Sequence, residues 1–264
     1  MAGQQQKTSR TVVVTGGGSG IGLVTALKFA EAGDRVFAGD IAFDQRTQSI
    51  LSGAGIQAQE CDVRVVADIR RLLTCAIRET SALDVLVNNA GVGMVKAVAE
   101  VTEDDWDSVM NVNLKAVFFG CQAAISQMRQ QPRGGSIVNI ASNAGLLPRS
   151  HDPVYSISKM AVVGLTKSLA LCHADDRIRI NCVCPGPVER TRMIEENFAL
   201  RPDRQEAVRE LIRASPLARA WGRMISPEEI ADAVMYLTDE SSRMVTGTAI
   251  AIDGGKSLGV PPAG

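Results

Sequence analysis

Residues 11–30 read TVVVTGGGSGIGLVTALKFA. The apolar, β-branched run from Thr11 to Val14 leads into the glycine cluster Thr15–Gly22, and a helical pattern follows. Glycine at a helix start costs backbone entropy, so a cluster there implies that something approaches the main chain closely. In an open α/β sheet, the first strand-to-helix turn lies where strand order reverses. Its helix N-terminus offers unpaired N–H groups and a favourable dipole to a pyrophosphate. Gly16, Gly18, Ser19, Gly20, Ile21 and Gly22 are therefore candidate contact residues. Their spacing, Gly16-x-x-x-Gly20-x-Gly22, departs from the G-x-G-x-x-G pattern, and a merely tight βα connection is the alternative.

Outward from this turn, the runs TVVVT, RVFAGD, IQAQECDV, LDVLVNNAG, GSIVNIAS, RIRINCVCPG and TAIAIDGG alternate with segments long enough for helices. Parallel strands need such crossovers, which cover both sheet faces. The expected fold is a single-domain α/β, doubly wound parallel sheet of about seven strands with helices on both faces. From Trp106 to Met128, apolar residues recur every three or four positions, with Asn113 interrupting the stripe. No repeat or linker divides residues 1–264. Residues 1–9 form a polar tail, and the Arg- and Glu-rich stretch 187–220 is expected to be partly helical and to act as a substrate lid.

Composition narrows the classes. The chain has 264 residues, 45% hydrophobic and 22% charged, with 28 Lys and Arg against 29 Asp and Glu. This balance points to neither nucleic acid nor an anionic membrane. The polar N-terminus lacks the pattern of a signal peptide, and a cytoplasmic location is expected. The cysteines Cys61, Cys75, Cys121, Cys172, Cys182 and Cys184 sit in apolar runs, as reduced core thiols do. No metal is expected; Cys182 and Cys184 would share one strand face without the partner ligands a metal site needs.

RVFAGD ends in Asp40, where a carboxylate can accept hydrogen bonds from a ribose diol and repel a 2′-phosphate. This favours NAD over NADP. In YSISK, Tyr155 and Lys159 lie four apart and share a helix face. A phenol that exchanges protons near neutrality needs a neighbouring cation to stabilise its anion, and Lys159 can provide one. Ser142, at the end of GSIVNIAS, could hold a substrate oxygen beside that phenol.

Taken together, TGGGSGIG, Asp40, CDV (Cys61–Val63), NNAG (Asn88–Gly91), VNL (Val112–Leu114), Ser142, YSISK and CPGPV (Cys184–Val188) resemble the short-chain dehydrogenase/reductase family, across nearly the whole chain. The C-terminal VTGTAIAIDGG is similar to the family's last strand. The resemblance implies a Rossmann-like fold and a nicotinamide cofactor. It makes Tyr155 the general acid/base and Lys159 the residue that lowers its pKa and holds the nicotinamide ribose. Ser142 would orient the reacting oxygen, and Asn113 would hold a water that relays protons to the lysine. It further implies that Asp62 and Val63 flank the adenine and that Asn89, Ala90 and Gly91 line the adenine ribose. Pro185, Gly186 and Val188 would meet the nicotinamide. Thr191 would bind its carboxamide, although Glu189 and Arg190 make this loop one residue longer than usual.

The expected activity is NAD(H)-dependent interconversion of a secondary alcohol and a ketone. The alternatives are a 3-oxoacyl thioester reductase and, from another class, a non-catalytic dinucleotide sensor. Arg149 and His151 lie between Ser142 and Tyr155 and could face the pocket, favouring an anionic or polar substrate. By resemblance, the helices at 106–128 and 153–172 pair in a homo-oligomer, a dimer or homotetramer.

Overall fold

The computed structural model describes residues 9–147, 149 and 152–259. Seven strands form one parallel sheet: β1 (Thr11–Thr15), β2 (Arg35–Asp40), β3 (Gln57–Glu60), β4 (Val85–Asn88), β5 (Gly135–Ile140), β6 (Ile178–Pro185) and β7 (Ala249–Ile252). Their spatial order is β3-β2-β1-β4-β5-β6-β7. Strand order therefore reverses at β1, between β2 and β4, and the crevice of such a sheet opens at the carboxyl ends of its strands there. The register is set by pairs such as Val13 with Phe37 and Val13 with Leu86.

Ten helices connect and cover the sheet among the described residues: α1 (Gly20–Glu31), α2 (Gln45–Gly53), α3 (Val66–Thr80), α4 (Glu103–Met110), α5 (Ala116–Met128), α6 (Pro153–His173), α7 (Arg192–Ala199), α8 (Arg204–Arg213), α9 (Pro216–Trp221) and α10 (Pro227–Thr238). Strand side chains alternate between two cores, as the two-residue period requires. Val13, Leu86, Ile137 and Ile180 face α3, α5 and α6, meeting Leu72, Cys121, Met128 and Val162. Val12, Val14, Val87, Val138 and Val183 face the other side, meeting Phe29 of α1, Leu51 of α2 and Ile230 and Val234 of α10. Burial on both faces is why the central strands read as unbroken apolar runs.

The sequence pattern 106–128 is not one regular helix. A π-helical turn, Asn111–Lys115, separates α4 from α5. The extra residue per turn barely disturbs an apolar stripe, so periodicity reads through it. The thiols also differ from expectation. Cys61, Cys121, Cys182 and Cys184 are buried, but Cys75 is half-buried and Cys172 is exposed. Cys172 lies near the C-terminal end of α6 on its solvent face, one turn after the exposed Ser168 and beside the exposed Leu171. The stretch 187–220 is largely helical, and Phe198, Ala207 and Met224 form a small core there with Ile194, Val208 and Leu211.

Close backbone approach fixes the first turn. A Cβ added to Gly22 would lie 2.0 Å from the Gly16 carbonyl oxygen and 2.4 Å from Asn89 Nδ2. Neither can yield: the carbonyl belongs to the main chain, and Asn89 Nδ2 donates to the carbonyls of Thr15 and Gly16, each at 3.0 Å. Gly22→Ala should therefore destabilise the protein by about 3 kcal/mol, lowering Tm by roughly 6–12 °C. A thermal melt unchanged from wild type would contradict this packing.

Candidate functional site

The residues expected to hold a cofactor converge at the strand-order reversal. Thr15 ends β1, and its hydroxyl accepts from the Asn89 and Ala90 amides at 3.1 and 3.3 Å, joining the loop after β4 to the glycine turn. Gly16 and Gly20 adopt positive φ, 67° and 51°. Ser19 is the N-cap of α1, yet its side chain makes no capping bond, so the first amides of the helix are left for another acceptor. Ile21 packs on the α1 side of the sheet. At the end of β2, Asp40 Oδ2 accepts from the Gly18 amide at 2.8 Å and Oδ1 from the Ile41 amide at 2.8 Å. A Cβ on Gly18 would lie 2.9 Å from that carboxylate. Asp40 thus sits against the glycine turn.

Other expected contacts hold this frame in different ways. Asp62 does not present a free carboxylate: Arg64 clamps it, with Arg64 Nη2 donating to Oδ2 at 2.6 Å. This bond holds the Asp62 carboxyl below its ordinary pKa. Val63 is buried in the core facing α3. Pro185 ends β6, and a Cβ on Gly186 would meet the Asp253 backbone at 2.9 Å. Val188 bridges to Ile225. Thr191 is the N-cap residue of α7, and its hydroxyl donates to the Val188 carbonyl at 3.0 Å. It reaches the glycine turn: a Cβ on Gly20 would lie 3.2 Å from Thr191 Cγ2. The extra residue of this loop, Arg190, takes a left-handed φ of 55° and pairs with Glu228.

Beside this cradle, Ser142, Tyr155, Lys159 and Asn113 are all buried. Ser142 follows β5 and caps a short 3₁₀ turn, its Oγ accepting from the Ala144 amide at 3.1 Å. Tyr155 and Lys159 lie in the first two turns of α6, and Lys159 Nζ sits 5.9 Å from the Tyr155 ring centroid. The ammonium donates to the Ile140 carbonyl at the end of β5, at 3.0 Å. A Cβ on Gly91 would lie 3.4 Å from both Lys159 Nζ and Asn113 Oδ1, so Gly91 keeps that space open. The Asn113 carboxamide is held at three points, with both of its N–H donors used. It accepts from the Val92 amide at 2.9 Å and donates to the Val92 carbonyl at 2.9 Å and to Ser158 Oγ at 3.2 Å. It fixes the loop after β4 from within the π turn.

Burial acts on the two titrating groups in opposite senses. It raises the Tyr155 pKa above the ordinary 10, opposed by a hydrogen bond from Ser142 and the charge of Arg149. It lowers the Lys159 pKa from 10.5 to about 8. Sequence reasoning found these residues but not their surroundings. Arg149 lies with its guanidinium carbon 5.6 Å from the Tyr155 ring centroid. His151 lies outside the described residues. Lys256, beyond β7, was not anticipated, although its place directly after the final GG marks a turn near the carboxyl end of the sheet.

A glycine cradle at a helix N-terminus, an acidic residue at the next strand end and a buried Ser–Tyr–Lys group define a dinucleotide-dependent oxidoreductase site. A family model described as short chain dehydrogenase matches residues 10–201, and the chain belongs to that family. It is 36% identical over 253 residues to Dehydrogenase/reductase SDR family member 6 of Xenopus laevis, covering 94% of this chain and 98% of the relative. It is 36% identical over 251 residues to a 3-oxoacyl-[acyl-carrier-protein] reductase of Thermotoga maritima, covering 93% and 97%. Its fold matches ligand-free aldohexose dehydrogenase of Thermoplasma acidophilum with a TM-score of 0.86 at 30% identity, covering 97% of each chain. The family uses NAD or NADP.

The depressed Lys159 pKa has a consequence for stability. Between about 8 and 10.5 the unfolded chain binds a proton that the folded chain does not, so stability rises with pH across that window. Below it, the buried ammonium carries its full penalty. The Tm of Lys159→Met relative to wild type should therefore fall as pH rises from about 8 to 10.5 and stay flat on either side. A constant difference across the window would contradict the assignment.

Proposed function

We propose that the protein is an NAD(H)-dependent oxidoreductase that interconverts a secondary alcohol and a ketone. The observation that carries this reading is the buried cluster of Ser142, Tyr155 and Lys159 opening beside the glycine cradle. The cradle fits a dinucleotide: glycines stand wherever a Cβ would strike the turn, and the first amides of α1 lack a side-chain cap. Gly16, Gly18, Ser19, Gly20, Ile21 and Gly22 would hold the pyrophosphate, Asp40 the adenosine ribose, Asp62 and Val63 the adenine, and Asn89, Ala90 and Gly91 the wall behind it. Pro185, Gly186, Val188 and Thr191 would meet the nicotinamide end. When bound, the cofactor supplies hydride acceptance and donation.

The chain's own residues move the proton. In oxidation, Tyr155 as phenolate accepts the hydroxyl proton while Ser142 holds the same oxygen; in reduction, Tyr155 returns it. Lys159 supplies positive charge against the phenolate and binds the nicotinamide ribose. Asn113 positions the loop after β4 through its bonds to Val92 and Ser158. A relay water would donate to the remaining lone pair of Oδ1 or to the backbone carbonyl of that residue.

Asp40 beside Gly18 supports NAD, because its carboxylate would meet a 2′-phosphate with like charge. We treat the chain as one domain, with the helices of 187–220 covering the substrate. Met193 of α7 rests on the loop after β4, 3.0 Å from where a Gly93 Cβ would lie. The exposed apolar residues Phe118, Ile157, Met160 and Leu171 on α5 and α6 are the faces we assign to a homo-oligomer, a dimer or tetramer. The similarity to a 3-oxoacyl reductase keeps thioesters on the substrate panel, although Asp40 disfavours the 2′-phosphate that such a reductase commonly carries.

Tyr155→Phe should cost about 10²–10⁴-fold in turnover on whichever alcohol proves active, with NADH affinity largely retained. Direct titration should show NAD(H) bound in preference to NADP(H). Near-normal turnover by Tyr155→Phe, or comparable affinity for the two cofactors, would overturn the corresponding part of the reading.

A further inference from the structure

In a parallel sheet all strands start at one edge and end at the other, and the Ser142–Tyr155–Lys159 group lies beyond the strand ends. The opposite edge holds an open cleft of about 550 Å³. Its walls are the starts of β4, β5 and β6, the residue before β1, the end of α10 and the residues that follow α5, α6 and α10. That volume suits a small ligand. The charged lining is five arginines against two acids, Asp84 and Glu240.

Two of the arginines are neutralised at close range. Arg133 Nε lies 2.6 Å from Oδ1 of the buried Asp84, and Arg10 Nη2 lies 2.6 Å from Oδ2 of the buried Asp34. Arg243 faces Glu240 at 3.7 Å with both side chains in solvent, where an ion pair contributes little. Arg177 and Arg179 line the cleft from either side of Ile178, the first residue of β6. Among the described residues these two make no ion pair and donate only to main-chain carbonyls. Arg177 Nη1 donates to the Pro132 carbonyl at 3.0 Å. Arg179 Nη1 donates to the carbonyls of Leu237 and Val245 at 2.6 and 3.4 Å, and Nη2 to that of Asp239 at 3.3 Å. The Asp239 carboxylate accepts from the Ser241 amide at 2.9 Å.

The carbonyls at the end of α10 offset part of the Arg179 charge through the helix dipole, and they hold its guanidinium still. A guanidinium has five N–H donors, so both arginines keep donors unspent. Burial lowers the Arg179 pKa, opposed by the charges of Glu240 and Asp239. We propose that Arg177, Arg179 and Arg243 form a site for a phosphate dianion, either the free ion or the terminal group of a small phosphomonoester. Two guanidiniums without a carboxylate call for a double negative charge. Donors that reach the cleft from β6 and from the loop before β7 suit a tetrahedral anion, whose oxygens point in several directions, better than a flat, singly charged carboxylate. No residue of the dehydrogenase site takes part, so the two readings stand or fall separately.

The test is calorimetric titration of inorganic phosphate and of ethyl phosphate, at neutral pH and an ionic strength fixed with sodium chloride, into wild type, Arg177→Gln and Arg243→Gln. Arg179 is left in place because it caps α10. Both substituted side chains are exposed, so the Tm of each variant in phosphate-free buffer should match wild type. Wild type should bind at least one of the anions, and each variant should weaken that binding by about tenfold or more. Ethyl phosphate bound as well as phosphate would identify an ester as the ligand, and phosphate bound alone would identify the free ion; both support the site. Phosphate held instead at the glycine turn would be unmoved by either substitution. Failure of wild type to bind either anion, or binding unmoved in either variant, would overturn the site.

Discussion

A buried ammonium governs the candidate site. Lys159 sits in the interior with the Ile140 carbonyl as its hydrogen-bond acceptor, and its burial alone pulls its pKa down to about 8. Such a charge is tolerated only where the surrounding fold holds it rigidly. Here that rigidity comes from the sheet: Ile140 ends β5, Lys159 lies in the first turns of α6, and Gly91 leaves open the space between Lys159 and Asn113. The same interior raises the phenol of Tyr155, so the two groups are pushed toward a state in which neither is charged. Positive charge around the phenol then decides how readily it gives up its proton.

That charge sits at the place where the fold is least able to give. The glycine turn, Asn89 and the end of β4 interlock so tightly that a Cβ on Gly22 would enter the Gly16 carbonyl. This packing fixes the position of the loop after β4, and Asn113 holds the next residues of that loop through Val92. The glycine turn and the buried Ser142–Tyr155–Lys159 group are thus two sides of one rigid unit.

Much of this was legible in the sequence because it depends on local pattern. All seven strands fall within the runs read from the sequence, although β3 (Gln57–Glu60) itself holds no β-branched residue, and Asp40 was visible because it ends the second. Tyr155 and Lys159 share a helix face by spacing alone. What escaped depends on contacts between distant segments or on subtle backbone geometry. The π turn around Asn113 hides within a three-to-four residue period, because one added residue moves the stripe only slightly. Cys172 sits in an apolar run yet falls on the solvent face of α6, in phase with Ser168. The Arg64 clamp on Asp62 pairs neighbours whose mutual orientation the sequence does not dictate.

The central claim is that burial holds the Tyr155 phenol protonated against the positive charge of Arg149 beside it, and the chain allows a direct reading of it. It contains two tyrosines, Tyr155 and Tyr236, so subtracting the tyrosinate absorbance titration of Tyr155→Phe isolates Tyr155. We would run this subtraction in the wild-type and Arg149→Met backgrounds. The account predicts that Tyr155 ionises above the ordinary 10 and moves higher still in Arg149→Met. A Tyr155 ionisation at or below 10, or one unmoved by Arg149→Met, would contradict it.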